Sequence, residues 1–158
     1  VKKIDICEEI KQLLDIAGVR YRSVSHMPTK TSEESARARG EPLSIGGKAI
    51  VLKMNGSFKL FVLSAARKLD SSKIKKYFGA KGLRFATRDE LVDLTGLEPG
   101  SVPPFGRPIT GLELYVDTSI TENSRIAFNA GSLTESIIMA VDDYMQIASP
   151  AVFSFSKP

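Results

Sequence analysis

Three short stretches of this sequence combine residue types that could do chemistry. Lys48 follows Gly46 and Gly47 and opens the apolar run KAIVLK, residues 48–53. On a strand, Lys48, Ile50 and Leu52 share one face. Either the ammonium points inward, where an unpaired charge is costly and calls for an anion or carbonyl partner, or the strand begins a residue or two later and Lys48 is solvated. Phe128-Asn129-Ala130-Gly131-Ser132 follows a β-rich run. It offers backbone N–H groups and small polar side chains, which suits either a nest for an oxyanion or carboxylate or a tight turn. Residues 96–111, GLEPGSVPPFGRPITG, are rich in Gly and Pro and poor in reactive side chains. Pro restricts φ and Gly allows close backbone approach. The segment is thus a connector, or a rigid pocket wall whose donor is a main-chain N–H.

Conventional acid–base machinery is sparse. His26 is the single histidine and Cys7 the single cysteine. A Ser-His-Asp triad would have to use His26, which sits at a strand end before Met27-Pro28, where a histidine is more often structural. Cys7 lies beside an apolar helix face and reads as a packing residue. There is no internal disulfide, and a zinc site would need Asp or Glu to complete it, so no metal and no cofactor are expected. Walker A, GxGxxG, HExxH and GxSxG motifs are all missing. Chemistry must run on backbone groups, hydroxyls, lysines or the substrate itself. The net charge is +4, which permits a nucleic-acid partner without demanding one. Arg67, Lys68, Lys73, Lys75, Lys76, Lys81, Arg84 and Arg88 form a basic cluster. It is either a phosphate-binding patch or a solvated helix face.

The elements that must position these residues follow from periodicity. Residues 4–17 place Ile6, Ile10, Leu13, Leu14 and Ala17 on one helical face that stops at Gly18. Residues 19–26 alternate as a strand, and Thr31 or Ser32 caps a short helix to about Arg39 before Gly40. Asn55-Gly56 between two β-rich runs predicts a hairpin. A helix capped by Asp70 or Ser71, the strand LRFA, a capped helix ending at Gly96, three strands, a helix over VDDYMQIA and the extended piece AVFSFS complete the order. With 158 residues, 42% hydrophobic and 25% charged, the chain is expected to form a single domain over residues 1–158. Its class is α+β, with a mixed, largely antiparallel, curved sheet. No stretch reads as a membrane span or signal peptide, so a cytoplasmic protein with no membrane partner is expected. Apolar residues in AVFSFSKP could support a homo-oligomer.

Taken in order, YRSVSHMPTKTSEESARARG, GGKAIVLKMNG, GLEPGSVPPFG, YVD and FNAGS resemble the YbaK/ProX family, related to the editing domain inserted in bacterial prolyl-tRNA synthetases. The likeness runs from about residue 4 to 150. It implies a barrel-like curved sheet surrounded by helices, and hydrolysis of a mischarged aminoacyl-tRNA ester carrying a small amino acid such as Ala or Cys, on tRNA-Pro. It implies a free-standing trans-editing enzyme with aminoacyl-tRNA, through its acceptor end, and a synthetase as partners. It assigns Lys48 to the terminal adenosine, and Gly100, Ser101 and Gly131 to the two catalytic glycine loops. Val102, Phe105, Gly106, Asn129, Ala130, Ser132 and His26 follow as substrate-binding, and Lys53 and Arg84 as tRNA-binding. Some alanine-editing members carry a histidine after the second loop, where this chain has Leu133. The function is physically sensible, because a missing methylene is worth only roughly 1–3 kcal/mol in a synthetase pocket, and a second, smaller site can hydrolyse the error. An activated ester with a ribose hydroxyl beside it needs no triad. The rival expectation is a non-catalytic tRNA- or nucleotide-binding module that regulates a synthetase.

Overall fold

The computed structural model describes residues 5–158; Ile4, the expected first residue of the opening helix, lies outside them. In chain order the elements are α1 (Ile6–Ile16), β1 (Tyr21–Ser25), α2 (Ser32–Arg39), β2 (Gly47–Met54), β3 (Ser57–Ser64), β4 (Lys68–Leu69), α3 (Ser71–Phe78), β5 (Arg84–Phe85), α4 (Arg88–Thr95), β6 (Leu114–Val116), α5 (Thr118–Thr121), β7 (Arg125–Asn129), β8 (Glu135–Ala140), α6 (Val141–Ala148), β9 (Ala151–Val152) and β10 (Ser156–Lys157). The caps are those the residue types dictate. Thr31 Oγ1 accepts from the Glu34 N–H at the start of α2, and Thr87 with Glu90 forms a full capping box on α4. Asn55 (φ 49°) and Gly56 (φ 77°) both occupy the left-handed region, the requirement of a two-residue hairpin turn that matches strand twist.

Two curved sheets carry the fold. One has the order β1-β8-β7 and is antiparallel; the other has the order β5-β2-β3-β6-β9 and is mixed, with β6 parallel to both β3 and β9. A short third pair joins β10 to β4. The sheets do not close into one continuous barrel; they meet where Gly46 bridges Ala127. Two glycines make that junction possible, since a Cβ on Gly47 would lie 2.8 Å from Ile126 Cδ1 and one on Gly46 3.2 Å from the Leu43 carbonyl.

The main core lies between the two sheets. Val51, Leu60, Val62 and Val116 meet Ile126, Phe128, Ile137 and Met139, and Ile10, Leu14 and Tyr144 from α1 and α6 close the ends. Phe61 and Leu63 point the other way, into a second cluster with Leu52, Ile74 of α3 and Phe155. Covered on both faces, β3 therefore reads as a continuous apolar run rather than an alternating one. Among the described residues no helix is long and apolar enough to cross a membrane.

Asp117 pins the end of β6. Its side chain is fully buried. It accepts from the Ser119 N–H (3.0 Å), the Phe155 N–H (2.6 Å) and the Ser156 hydroxyl (2.7 Å), tying α5 and the 151–157 segment to one carboxylate. Burial alone would raise its pKa, but these hydrogen bonds outweigh it and hold the carboxyl below the ordinary aspartate value. Asp117→Asn is expected to cost about 2 kcal/mol, the worth of hydrogen bonds to a charged group, read as a lower urea midpoint. Because the folded pKa is depressed, the contribution is present above the ordinary aspartate value and is lost as pH falls through the folded one. The difference between wild type and Asp117→Asn should therefore shrink in acid.

Candidate active site

A cleft of about 230 Å³ opens where β2 begins. Thr29, Lys30, Ser35 and Arg39 line it from α2 and the segment before it, Gly47 and Lys48 from β2, Gly100 and Val102 from the Gly/Pro loop, and Asn129 from the end of β7. Among the described residues its cations are Lys30, Arg39 and Lys48, and no Asp or Glu lines it. Lys48 lies within β2, facing as Ile50 and Leu52 do, yet it is exposed. The strand begins before the lysine, and the lysine is nonetheless solvated. Ile50 and Leu52 pack into the cluster under α3, while Lys48 lies beyond the end of that cluster, at the mouth of the cleft.

The Gly/Pro loop is buried over residues 101–106 and at Ile109 and Thr110. Val102, Phe105, Ile109 and Leu112 enter the core, the Tyr144 hydroxyl donates to the Pro104 carbonyl at 2.6 Å, and the Thr110 hydroxyl donates to the Phe105 carbonyl at 2.8 Å. Gly100 has φ +87°, a conformation that side chains resist, and its carbonyl accepts from Asn129 Nδ2 at 2.7 Å. Ser101 serves the loop itself: its hydroxyl (2.7 Å) and N–H (3.1 Å) both donate to the Glu98 carbonyl. Phe105 packs against Phe128 and Tyr144, and a Cβ on Gly106 would lie 2.4 Å from the Leu112 carbonyl. Both residues shape the loop from beneath rather than face the cleft.

The second glycine loop is split. Asn129 lines the cleft, but Ala130 is fully buried in the core, and a Cβ on Gly131 would lie 2.6 Å from Ile6 of α1. Ser132 pairs with the Thr134 hydroxyl at 3.0 Å. Gly131 therefore packs on α1 and Ala130 on the core, while Ser132 braces the turn into β8, and none of the three lines the cleft. Leu133 reaches back toward Gly100, within 3.4 Å of where a Cβ would be.

Behind the cleft runs a polar network that sequence reasoning did not find. Arg39 donates through Nε to Ser136 Oγ (2.9 Å) and through Nη2 to Asn129 Oδ1 (3.1 Å). His26 Nδ1 lies 2.8 Å from the Met27 carbonyl and Nε2 lies 2.8 Å from Ser136 Oγ. A carbonyl only accepts, so the Nδ1 proton is assigned; Ser136 Oγ, which also donates to Asn129 Oδ1 at 3.1 Å, is shared by His26, Arg39 and Asn129. His26 is thus a scaffold residue. The one signal for Arg39 was its spacing, since Ser35, Ala36 and Arg39 form the buried face of α2.

The two basic positions predicted to contact tRNA are separated from the cleft lining. Lys53 lies over the Phe58 ring at 5.3 Å and pairs across the ladder with Arg84. Arg84 makes two hydrogen bonds to Glu90, at 2.7 and 2.9 Å, and pulls that carboxyl down to about 2, with the Thr87 N–H helping. Arg88 is likewise bound to Glu98, and Arg67 and Lys73 donate to Ser156. Among the described residues no group of three or more His, Cys, Asp or Glu could hold a metal ion.

Residues 26–147 match the model of the aminoacyl-tRNA editing domain family. The chain is 34% identical over 151 residues to the multifunctional Ser/Thr-tRNA deacylase ProXp-y of Escherichia coli strain K12, covering 92% of this chain and 89% of that protein. It is 33% identical over 101 residues to a proline–tRNA ligase of Staphylococcus saprophyticus, which covers 63% of this chain and 17% of the ligase. A crystal structure provisionally assigned as a trans-editing enzyme for prolyl-tRNA synthetase superposes with a TM-score of 0.84 at 23% identity, over 99% of this chain and 100% of that one, and so shares the fold. The chain belongs to the aminoacyl-tRNA editing domain family. Membership makes it an aminoacyl-tRNA deacylase by class, of the YbaK/ProX type. Asn129→Ala, which frees the Gly100 carbonyl, is expected to lower single-turnover deacylation by about 100-fold, the effect of an ångström-scale misplacement, and to lower the melting temperature, because Arg39 loses a buried partner.

Proposed function

We propose that this cleft removes a small amino acid from mischarged tRNA in trans, in the cytoplasm. One observation carries the reading: exposed Lys48, buried Arg39 and the left-handed main chain of Gly100 line the same 230 Å³ cleft, with no carboxylate among the described residues of its lining. Such a cleft attracts the phosphates of a tRNA end and is narrow enough to act by exclusion. Lys48 at the mouth takes the phosphate or ribose of the terminal adenosine as a point charge. The Gly100 loop forms a wall whose anchoring keeps it from yielding to a larger side chain. Water is the nucleophile, and a ribose hydroxyl next to the ester positions it.

Alanine and cysteine fit by size, and tRNA-Pro is the first acceptor to test. The lining also carries the paired hydroxyls of Thr29 and Ser35, which suit a β-hydroxyl better than a methyl group. The name of the E. coli relative points to serine and threonine as well.

The test is release of labelled amino acid from tRNAs misacylated with Ala, Cys, Ser or Thr. Hydrolysis of at least one above the buffer rate is expected. No release from any would leave a non-catalytic module that binds tRNA ends. Lys48→Ala is expected to lower kcat/KM by about 30-fold, the worth of one charge-assisted contact of about 2 kcal/mol, with the fold unchanged by circular dichroism. Raising the salt from 50 to 200 mM should weaken wild type more steeply than Lys48→Ala, because the variant makes about one phosphate contact fewer.

A further inference from the structure

Arg39 is the most unusual charge in the molecule. Only 8% of its surface is exposed, its two hydrogen-bond partners are the neutral Ser136 and Asn129, and among the described residues it forms no ion pair. Burial lowers its pKa to about 10, so it remains a cation at neutral pH. An ionised group held inside without a counter-ion is expensive. Its third nitrogen, Nη1, has no hydrogen-bond partner within the described residues. Every sealed side-chain nitrogen and oxygen among them has one, so Nη1 is open, and it opens into the cleft that Arg39 lines. It lies 3.7 Å from where a Cβ of Gly46 would stand.

Depth decides what Nη1 meets. Lys30 and Lys48 are exposed at the mouth while Arg39 is buried behind them. A tRNA end that leaves its phosphate with the outer lysines presents the aminoacyl ester to the floor. There a guanidinium repels the α-ammonium and attracts the carbonyl oxygen, which fixes the direction of the ester. Two main-chain donors of the glycine loops are committed or turned away: the Ser101 N–H is bound to Glu98, and the Gly131 turn packs on α1.

Resting on the deacylase reading above, we propose that Arg39 is a catalytic residue whose Nη1 binds the ester carbonyl oxygen and stabilises the oxyanion formed from it. Water adds to the carbonyl carbon and the π pair moves onto the oxygen facing Nη1. As the tetrahedral species collapses, the acyl–oxygen bond to the ribose breaks, and the water's proton passes to the ribose oxygen, directly or through the neighbouring hydroxyl. The products are tRNA with a free terminal ribose and the free amino acid, whose carboxyl releases its proton to solvent.

The test compares wild type, Arg39→Gln and Arg39→Lys on a misacylated tRNA that wild type hydrolyses. Arg39→Gln is expected to lower kcat by about 100-fold, as loss of an oxyanion donor does, with KM within about threefold. Arg39→Lys should fall between the two, because it keeps the charge without the fork. Two adenosine ligands separate this role from packing: a 3′-aminoacylamide, which mimics the ground state, and the corresponding phosphonate, a tetrahedral anion. Arg39→Gln should lose affinity for the phosphonate and keep it for the amide. Retention of kcat in both variants, a loss wholly in KM, or equal loss of both ligands would overturn the proposal. If Arg39→Gln does not fold by circular dichroism, the same criteria are applied to Arg39→Lys. If wild type hydrolyses no misacylated tRNA, it is the deacylase reading that fails, and the two ligands still decide the role of Arg39.

Discussion

The side chain of Asn129 is the joint on which the cleft depends. Its oxygen accepts from Arg39 and its amide nitrogen donates to the Gly100 carbonyl. One planar group thereby sets the distance between α2, the end of β7 and the Gly/Pro loop. The two ends need each other. The guanidinium fixes which way the amide faces, and only that orientation presents N–H rather than oxygen to Gly100. A change on α2 is therefore felt at a loop sixty residues away without any movement of the core. Hydrogen-bonded side-chain networks in a low-dielectric interior confer this kind of rigidity.

The sheets make the joint possible by bringing their ends together at Gly46 and Gly47. A side chain on Gly47 would press on Ile126 of β7, and one on Gly46 would crowd Ala65 and the Leu43 carbonyl. The fold thus resolves a conflict between packing and access. Its core is closed by apolar contacts between the sheets, while their meeting edge is left open by residues with no side chain, and the cations collect there.

Much of this was legible in the sequence. Helix caps, the Asn55-Gly56 hairpin and the strand runs follow from local residue chemistry, and the mixed sheet with it. The short strand β4 and the brief helix α5 were not, and the extended piece AVFSFS was legible without its division into β9 and β10, because distant partners rather than local preference decide those pairings. The cleft was legible in part. Lys48 and Gly100 carry recognisable local signals, and both line it. Arg39 carried none by type, since an arginine in the last turn of a helix is the ordinary complement to the helix dipole, and only the topology reveals that it faces inward. Gly131 was legible as a glycine that a turn requires. Its neighbour, Ile6, lies far away in the chain, so nothing local told which side of the loop faced the cleft.

The placement of β9 and β10 also bears on how the molecule is made. β3 pairs with β6, and β6 with β9, so residues 57–64 wait for residues 114–116 and those for residues 151–152. Asp117 meanwhile waits for Phe155 and Ser156. During synthesis from the N-terminus, the hairpin can form early, but the five-stranded sheet keeps an unpaired parallel edge and a carboxylate without its donors until residues 151–157 have left the ribosome. Non-local parallel pairing of this kind is slow and exposes strand edges in the meantime. The chain's central sheet and the Asp117 cap are therefore completed together, by the same short segment.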